Sequence, residues 1–197
     1  MRKFINPFHY IAGSKSLIIG LIIILLTSVI GYFSNIHFPD TISVKTSFEM
    51  PLIYYFIQNL ANWLVFSIII YLLSLTSSSS VRIVDIFGTQ ALARAPYLLA
   101  AIIGFSGSME KFGKYMLHIY LDQGEPIKMT AGEMGLAIIL IILTLITTIW
   151  LVTWMYNAFR VSANIKPPRS GILFFVAIVI SMIINQLISN QLMQIFP

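Results

Sequence analysis

No cysteine occurs in this chain, which excludes disulfides, thiolate metal sites and cysteine nucleophiles together. Charge is almost as scarce: 10% of residues are Asp, Glu, Lys or Arg, against roughly a quarter in soluble domains. With 58% of its 197 residues hydrophobic, the chain carries more apolar surface than a water-soluble core could hide. The bilayer is therefore the expected solvent. Catalytic signatures are missing too. There is no HExxH, GxSxG, P-loop or paired intramembrane carboxylate, and His9, His37 and His118 fall near span ends or in connections. No acid, lysine or histidine stands well inside an apolar run, so neither an enzyme nor an ion-coupled transporter is expected. No cofactor or metal is expected either. The lysines and arginines are scattered singly between apolar runs, which argues against nucleic acid as a partner.

What the chain does have is apolar length. A helix needs about 20 apolar residues to cross a bilayer core, and charge-free runs that long occur at Ser16–Ile36, Met50–Val81, Met134–Phe159 and Ser170–Pro197. A shorter run, Ala95–Met109, spans only if its helix begins near Ala91, with Arg94 snorkelling back to the interface. The expected fold is thus an all-α membrane protein: a bundle of five transmembrane helices with short interfacial helices. The spans fall at about 17–35, 53–75, 91–109, 134–157 and 171–193, in a single integral membrane domain over 1–197. The amino-terminal apolar run resembles a signal peptide, but its charged region is too long and no small-x-small cleavage site follows it. A retained first span is expected.

Connections set the orientation. Arg2, Lys3, Lys15, Arg82, Arg94, Arg160, Lys166 and Arg169 fall on one face with Asp85 as their one acid. Lys45, Lys111, Lys114 and Lys128 fall on the other, among Asp40, Glu49, Glu110, Asp122, Glu125 and Glu133. The positive-inside rule puts the amino terminus in the cytoplasm and the carboxyl terminus outside. Between Glu110 and Leu121, Phe112, Tyr115, Met116, Ile119 and Tyr120 recur at helical spacing, which reads as a short helix in the outer interface.

Two groups of residues are candidates for function. In the last span Ser181, Asn185 and Ser189 form one i, i+4 line, and Gln186, Asn190 and Gln194 form another. Gln58, Asn59 and Asn62 cluster in the second span. Asn59, Asn62, Ser181, Asn185 and Ser189 make a candidate polar face inside the membrane. Such a face either lines a path for a solute or lipid headgroup, or bonds helix to helix. The second group is Arg82, Asp85, Phe87, Gly88, Arg94 and Pro96. Read as a helix in the cytoplasmic interface from Val81 to Arg94, this stretch gathers Val81, Val84, Phe87, Ala91 and Leu92 on one side. Arg82, Asp85 and Thr89 then face the other, with Arg82 and Asp85 able to pair. Pro96 marks the start of the next span. The small-residue stripe Ala100, Gly104, Ser108 suits close packing within the bundle, with a homo-oligomer as its alternative use.

The segments "NPFHYIAG", "DIFGTQALARAPYLL" and "WMYNAFRVSANIK", together with the five-span layout, resemble the Yip family, membrane proteins named for binding Ypt/Rab GTPases, in its shorter bacterial branch. Asp85-Ile86-Phe87-Gly88 is similar to the D-L-Y-G motif of the eukaryotic members. There the motif precedes the first span and is followed by proline, where this chain has Thr89. The resemblance implies an integral protein of the bacterial inner membrane and a non-enzymatic scaffold or trafficking-type role. Its partners would be membrane lipids and a further membrane or cytoplasmic protein; GTPase binding is not implied. The alternative from the residues themselves is transporter- or channel-like passage of a small solute or lipid along the polar helix faces.

Overall fold

The computed structural model describes residues 6–46, 50–76, 81–122 and 127–196. Five of its helical segments are long and apolar enough to cross a membrane. They are α1 (Gly13–Ser34), α2 (Leu52–Leu75), the broken pair α3 (Ile83–Leu92) and α4 (Ala95–Ile103), α6 (Ala131–Ala163) and α7 (Arg169–Ile195). A 3-10 turn at Gly104–Ser106 extends α4, so the third span runs Ile83–Ser106. The amphipathic helix α5 (Ser108–Leu121) packs on α6 and buries no residue fully. The only sheet among the described residues is a hairpin of β1 (Ile36–His37) and β2 (Lys45–Thr46), with Ile36 opposite Thr46 and His37 opposite Lys45.

The helices are built inside out relative to those of a soluble protein. In α1 the buried positions Ser16, Gly20, Ile24, Thr27, Ser28, Gly31 and Ser34 recur at three- and four-residue steps and are mostly small or hydroxylated. Ile18, Ile22, Leu25, Leu26 and Phe33 point outward. Lipid tails solvate isoleucine as well as a core does, so nothing drives it inward, whereas small faces allow close helix approach. α7 repeats the pattern with Ser170, Ala177, Ser181, Asn185 and Ser189 inside. α1 packs on the third span, α2 on α7, and α6 against α3 and α4.

The third span is the centre of the bundle, and here the structure departs most from the sequence reading. Its apolar window is 67% buried, against 22 to 39% for the other four. It starts at Ile83 instead of Ala91, so the stretch from Val81 to Arg94 does not lie in the interface. Its helix is the first half of a span, with Ile86, Gly88, Thr89, Gln90, Ala91 and Leu92 buried. Thr89, expected on the exposed side, is 1% exposed, and its hydroxyl reaches Ser162 Oγ at 2.8 Å. Pro96 begins no separate span. Occupying the first turn of α4, it has no N–H for the carbonyl of Leu92, and the helix breaks at Ala93–Arg94. Arg94 therefore does not snorkel. It stands eleven residues after Ile83 and twelve before Ser106, roughly 17 and 18 Å from the ends of the span.

The other spans match their expected positions to within a turn, except α6. Its 33 residues extend roughly 50 Å, longer than an apolar core of about 30 Å. Asn164, at a left-handed φ of 50°, stops it. A capping box between Thr130 and Glu133 starts it.

Candidate functional site

The expected polar face exists, but it encloses a piece of the protein's own backbone. Asn35, at φ 52°, ends α1 and turns the chain back into the bundle. The hairpin that follows carries Phe38, Asp40 and Thr41 between α2, α4 and α7, at 0, 5 and 0% exposure. Asp40 closes the tip as an Asx turn, its Oδ1 accepting from the N–H groups of Ile42 and Ser43 at 2.9 Å each. Non-helical backbone at membrane depth is tolerated only where protein or water satisfies it.

The helices provide that satisfaction residue by residue. Phe38 N–H donates to Gln58 Oε1 at 3.1 Å, and Asn62 Nδ2 donates to the Phe38 carbonyl. Phe38's ring stacks on Tyr97 with centroids 4.1 Å apart. The Thr41 carbonyl accepts from Arg94 Nη1 at 3.1 Å and from Tyr97 Oη at 3.0 Å. Thr41's hydroxyl donates to Ser181 Oγ at 2.8 Å and accepts from Asn185 Nδ2 at 3.0 Å. Ser181 is twelve residues from one end of α7 and fourteen from the other, so the hairpin tip reaches halfway along the bundle. Nearer the hairpin's entrance, Gln58 Nε2 donates to Ser189 Oγ at 2.7 Å and to Tyr54 Oη at 2.9 Å, with His37 Nδ1 3.3 Å away.

Arg94, a candidate from the sequence, was expected at the cytoplasmic interface and instead lies buried inside the bundle. A mid-span arginine on an isolated helix costs about 2.5–3.5 kcal/mol on insertion scales. Here it is 4% exposed, bonded through Nη1 to Thr41 and through Nη2 to the Asn62 carbonyl at 2.9 Å. Its guanidinium carbon lies 5.7 Å from the Tyr97 ring centre. Asp40 acts on it electrostatically, although the two form no ion pair within 4 Å. The arginine ties the inserted tip to the third span and the third span to α2. A signal was available: Arg94 and Pro96 in one apolar stretch mark a span broken where a charge must be satisfied.

The remaining candidates divide. Asn62, Ser181, Asn185 and Ser189 converge on the hairpin or on its Gln58 neighbour. Asn59 does not. One residue beyond Gln58, it faces α1 and donates to Ser28 Oγ at 3.0 Å. Gln186 and Asn190 take no part in that core: Gln186 Nε2 donates to Asn190 Oδ1 at 2.9 Å on the exposed side of α7. At the opposite end, Arg82 Nε and Asp85 Oδ2 are 4.0 Å apart, with Arg82 81% exposed. Phe87 meets Trp63 edge-on, and its carbonyl accepts from Trp63 Nε1 at 3.0 Å. Gly88 is a contact residue: a Cβ there would lie 2.5 Å from the Gly13 carbonyl oxygen. In the small-residue stripe, Gly104 makes room for Ile36 of the hairpin in the same way, which is a use inside the bundle. Among the described residues no group of three or more His, Asp or Glu side chains could hold a metal ion.

Fold and site together define a membrane-embedded protein of five helical spans, with an extra-helical hairpin held in its polar core. No family model matches the chain, and no curated protein or solved structure matches it either.

Proposed function

We propose that this chain is a non-enzymatic scaffold or trafficking-type protein of the Yip kind, seated in the bacterial inner membrane and working through protein and lipid contacts on its outer surfaces. One observation carries the reading: the polar side chains that would line a path through the bundle are occupied by the protein's own hairpin. A passage would need the hairpin to leave. The Asn185→Ala variant loses one bond to Thr41 and is expected to loosen the bundle by about 0.5–1 kcal/mol. Vesicles carrying either parent or variant should pass small solutes and lipids no faster than empty vesicles. Flux in the parent that disappears in Asn185→Ala at unchanged unfolding temperature would overturn the scaffold reading. Native-membrane cross-linking of the full chain should recover the same protein partners for both.

The second reading, a gated passage, has its own support. Gln90 Oε1 and Asn185 Oδ1 are buried without a hydrogen-bond partner among the described residues, and Asn185 bonds the same Thr41 that a mid-span arginine holds. Such residues cost energy in lipid and commonly mark ion or substrate routes.

The orientation we propose has the amino terminus in the cytoplasm and the carboxyl terminus outside. With Arg94 inside the bundle the basic face keeps Arg2, Lys3, Lys15, Arg82, Arg160, Lys166 and Arg169 against Asp85, so the asymmetry survives. Single cysteines at Lys15 and Lys166 should resist an impermeant thiol reagent in intact cells, while one at Lys128 reacts. Labelling at position 166 from outside would reverse the assignment. Glu125, the outward marker expected from sequence, lies outside the described residues.

A further inference from the structure

We propose that a basic recess at the amino-terminal face of the bundle binds a phosphate group, as carried by an anionic lipid headgroup or by free phosphate. This deepens the lipid half of the scaffold reading and rests on it only for the membrane setting. The recess has a volume of about 400 Å³ and is lined by His9, Arg160, Asn164, Lys166 and their neighbours. That volume lies at the small end of the usual ligand-site range.

Local structure builds the recess. Phe8, 1% exposed, anchors a 3-10 turn at Pro7–His9 by packing edge-on against Trp154 with centroids 5.8 Å apart. That anchoring leaves His9 exposed beside the end of α6. Asn164 then reverses the chain at its left-handed φ, and Ile165, 7% exposed, plugs back into the core. Lys166 is thereby returned to the same rim as Arg160. Headgroup level is consistent with the chain here: α6 is longer than an apolar core requires, and Trp154, of the residue type that anchors at the interface, stands less than two turns before Arg160.

The charge is uncompensated. Among the described residues no carboxylate lines the recess, and the acid of this face, Asp85, is beside Arg82 instead. Among the described residues neither Arg160 nor Lys166 is in an ion pair. Arg169, the next cation along, is committed elsewhere, donating to the Thr76 carbonyl at 2.8 Å. The carbonyl end of α6 opposes an anion with about half a negative charge, which two full cations outweigh. Arginine adds a planar fork suited to two phosphate oxygens, and lysine adds a point charge. Basic pockets between spans on this kind of face are where anionic headgroups settle.

The test uses the full chain in neutral detergent, titrated with phosphatidylglycerol or phosphatidylcholine, with bound lipid counted by native mass spectrometry. Phosphatidylglycerol should bind about tenfold more tightly, and Arg160→Gln and Lys166→Gln should each weaken it roughly fivefold. Lys15→Gln, an exposed cation of the same face outside the recess, should change the affinity less than about twofold. Arg160→Lys keeps the charge and should retain most of the binding, so a folding failure of Arg160→Gln cannot obscure the result. Displacement of the lipid by millimolar inorganic phosphate would assign the site to phosphate itself. Tight lipid binding without displacement would assign it to the bilayer-borne headgroup; both outcomes uphold the site. Equal affinity for the two lipids overturns it, as does an equal loss in Lys15→Gln, which would mean diffuse surface attraction. Protein partners still recovered by cross-linking after such a failure would leave the scaffold reading intact.

Discussion

Replacing Arg94 by alanine is expected to destabilise the bundle by a net of about 5 kcal/mol and to release the inserted hairpin. Two charge-assisted bonds are lost, each worth about 1.5–3 kcal/mol, one to the hairpin and one to α2. Truncating a long buried side chain leaves a cavity that costs about 2–5 kcal/mol more. Against this stands the relief of removing a charge from mid-span, about 2.5–3.5 kcal/mol on insertion scales. The losses win. Arg94→Met fills the volume without the charge and should cost less, about 1–2 kcal/mol, because Tyr97 Oη still serves the Thr41 carbonyl. Thermal unfolding in detergent measures the stability. A single cysteine at Ser43, half-buried on the hairpin of this cysteine-free chain, reports the release. Faster alkylation in Arg94→Ala is the expected result; unchanged alkylation and unchanged unfolding temperature would show that the arginine does not hold the tip.

The second large effect is steric. Gly20 and Gly88 bring α1 and α3 together from opposite sides. A Cβ on Gly20 would lie 2.4 Å from Leu92 N and 2.5 Å from Ala91 Cβ. One on Gly88 would lie 2.5 Å from the Gly13 carbonyl oxygen and 2.6 Å from Ser16 Oγ. Most of these neighbours are backbone or a Cβ fixed to it, so no rotamer change relieves the clash and the helices must separate. Gly20→Ala and Gly88→Ala should each cost about 1–3 kcal/mol, the usual range for overpacking. Gly20→Leu should leave no folded protein to purify, since a whole side chain has no space between two helices this close. Gly113→Ala provides the contrast. Nothing lies within 4 Å of its added Cβ, so it should be neutral or stabilising by up to about 1 kcal/mol. Equal behaviour of Gly20→Ala and Gly113→Ala would refute the close approach.

Four of the five spans were legible because lipid solvation depends on composition alone: about 20 apolar residues in a row suffice, whatever they later touch. The third was misplaced because the same criterion treats every arginine as a boundary. Arg94 lies inside the span only because Thr41 and Asn62, distant in sequence, present carbonyls to it. The polar lines were legible for a similar reason, since an i, i+4 line of Ser and Asn on an apolar helix must meet a partner. Their partner was not. The choice between another helix, a water path and a hairpin depends on what occupies the space between helices, which helical periodicity does not encode.

The sequence by itself determined the solvent, the helical class and the charge asymmetry of the two faces, because each follows from local composition. It also limited how far α6 could run, since Pro167 and Pro168 cannot sit in a helix interior without breaking it, although α6 ends earlier, at Asn164. Only the tertiary structure decided that the stretch from Val81 to Arg94 runs through the middle of the bundle. It alone decided that Gly88 is a contact point, that Asn59 and Asn62 serve different neighbours, and that residues 36–46 fold inward. The reason is energetic. Burying a guanidinium and a run of free peptide groups is prohibitive for any segment alone, and becomes affordable only when α2, the third span and α7 supply the bonds together.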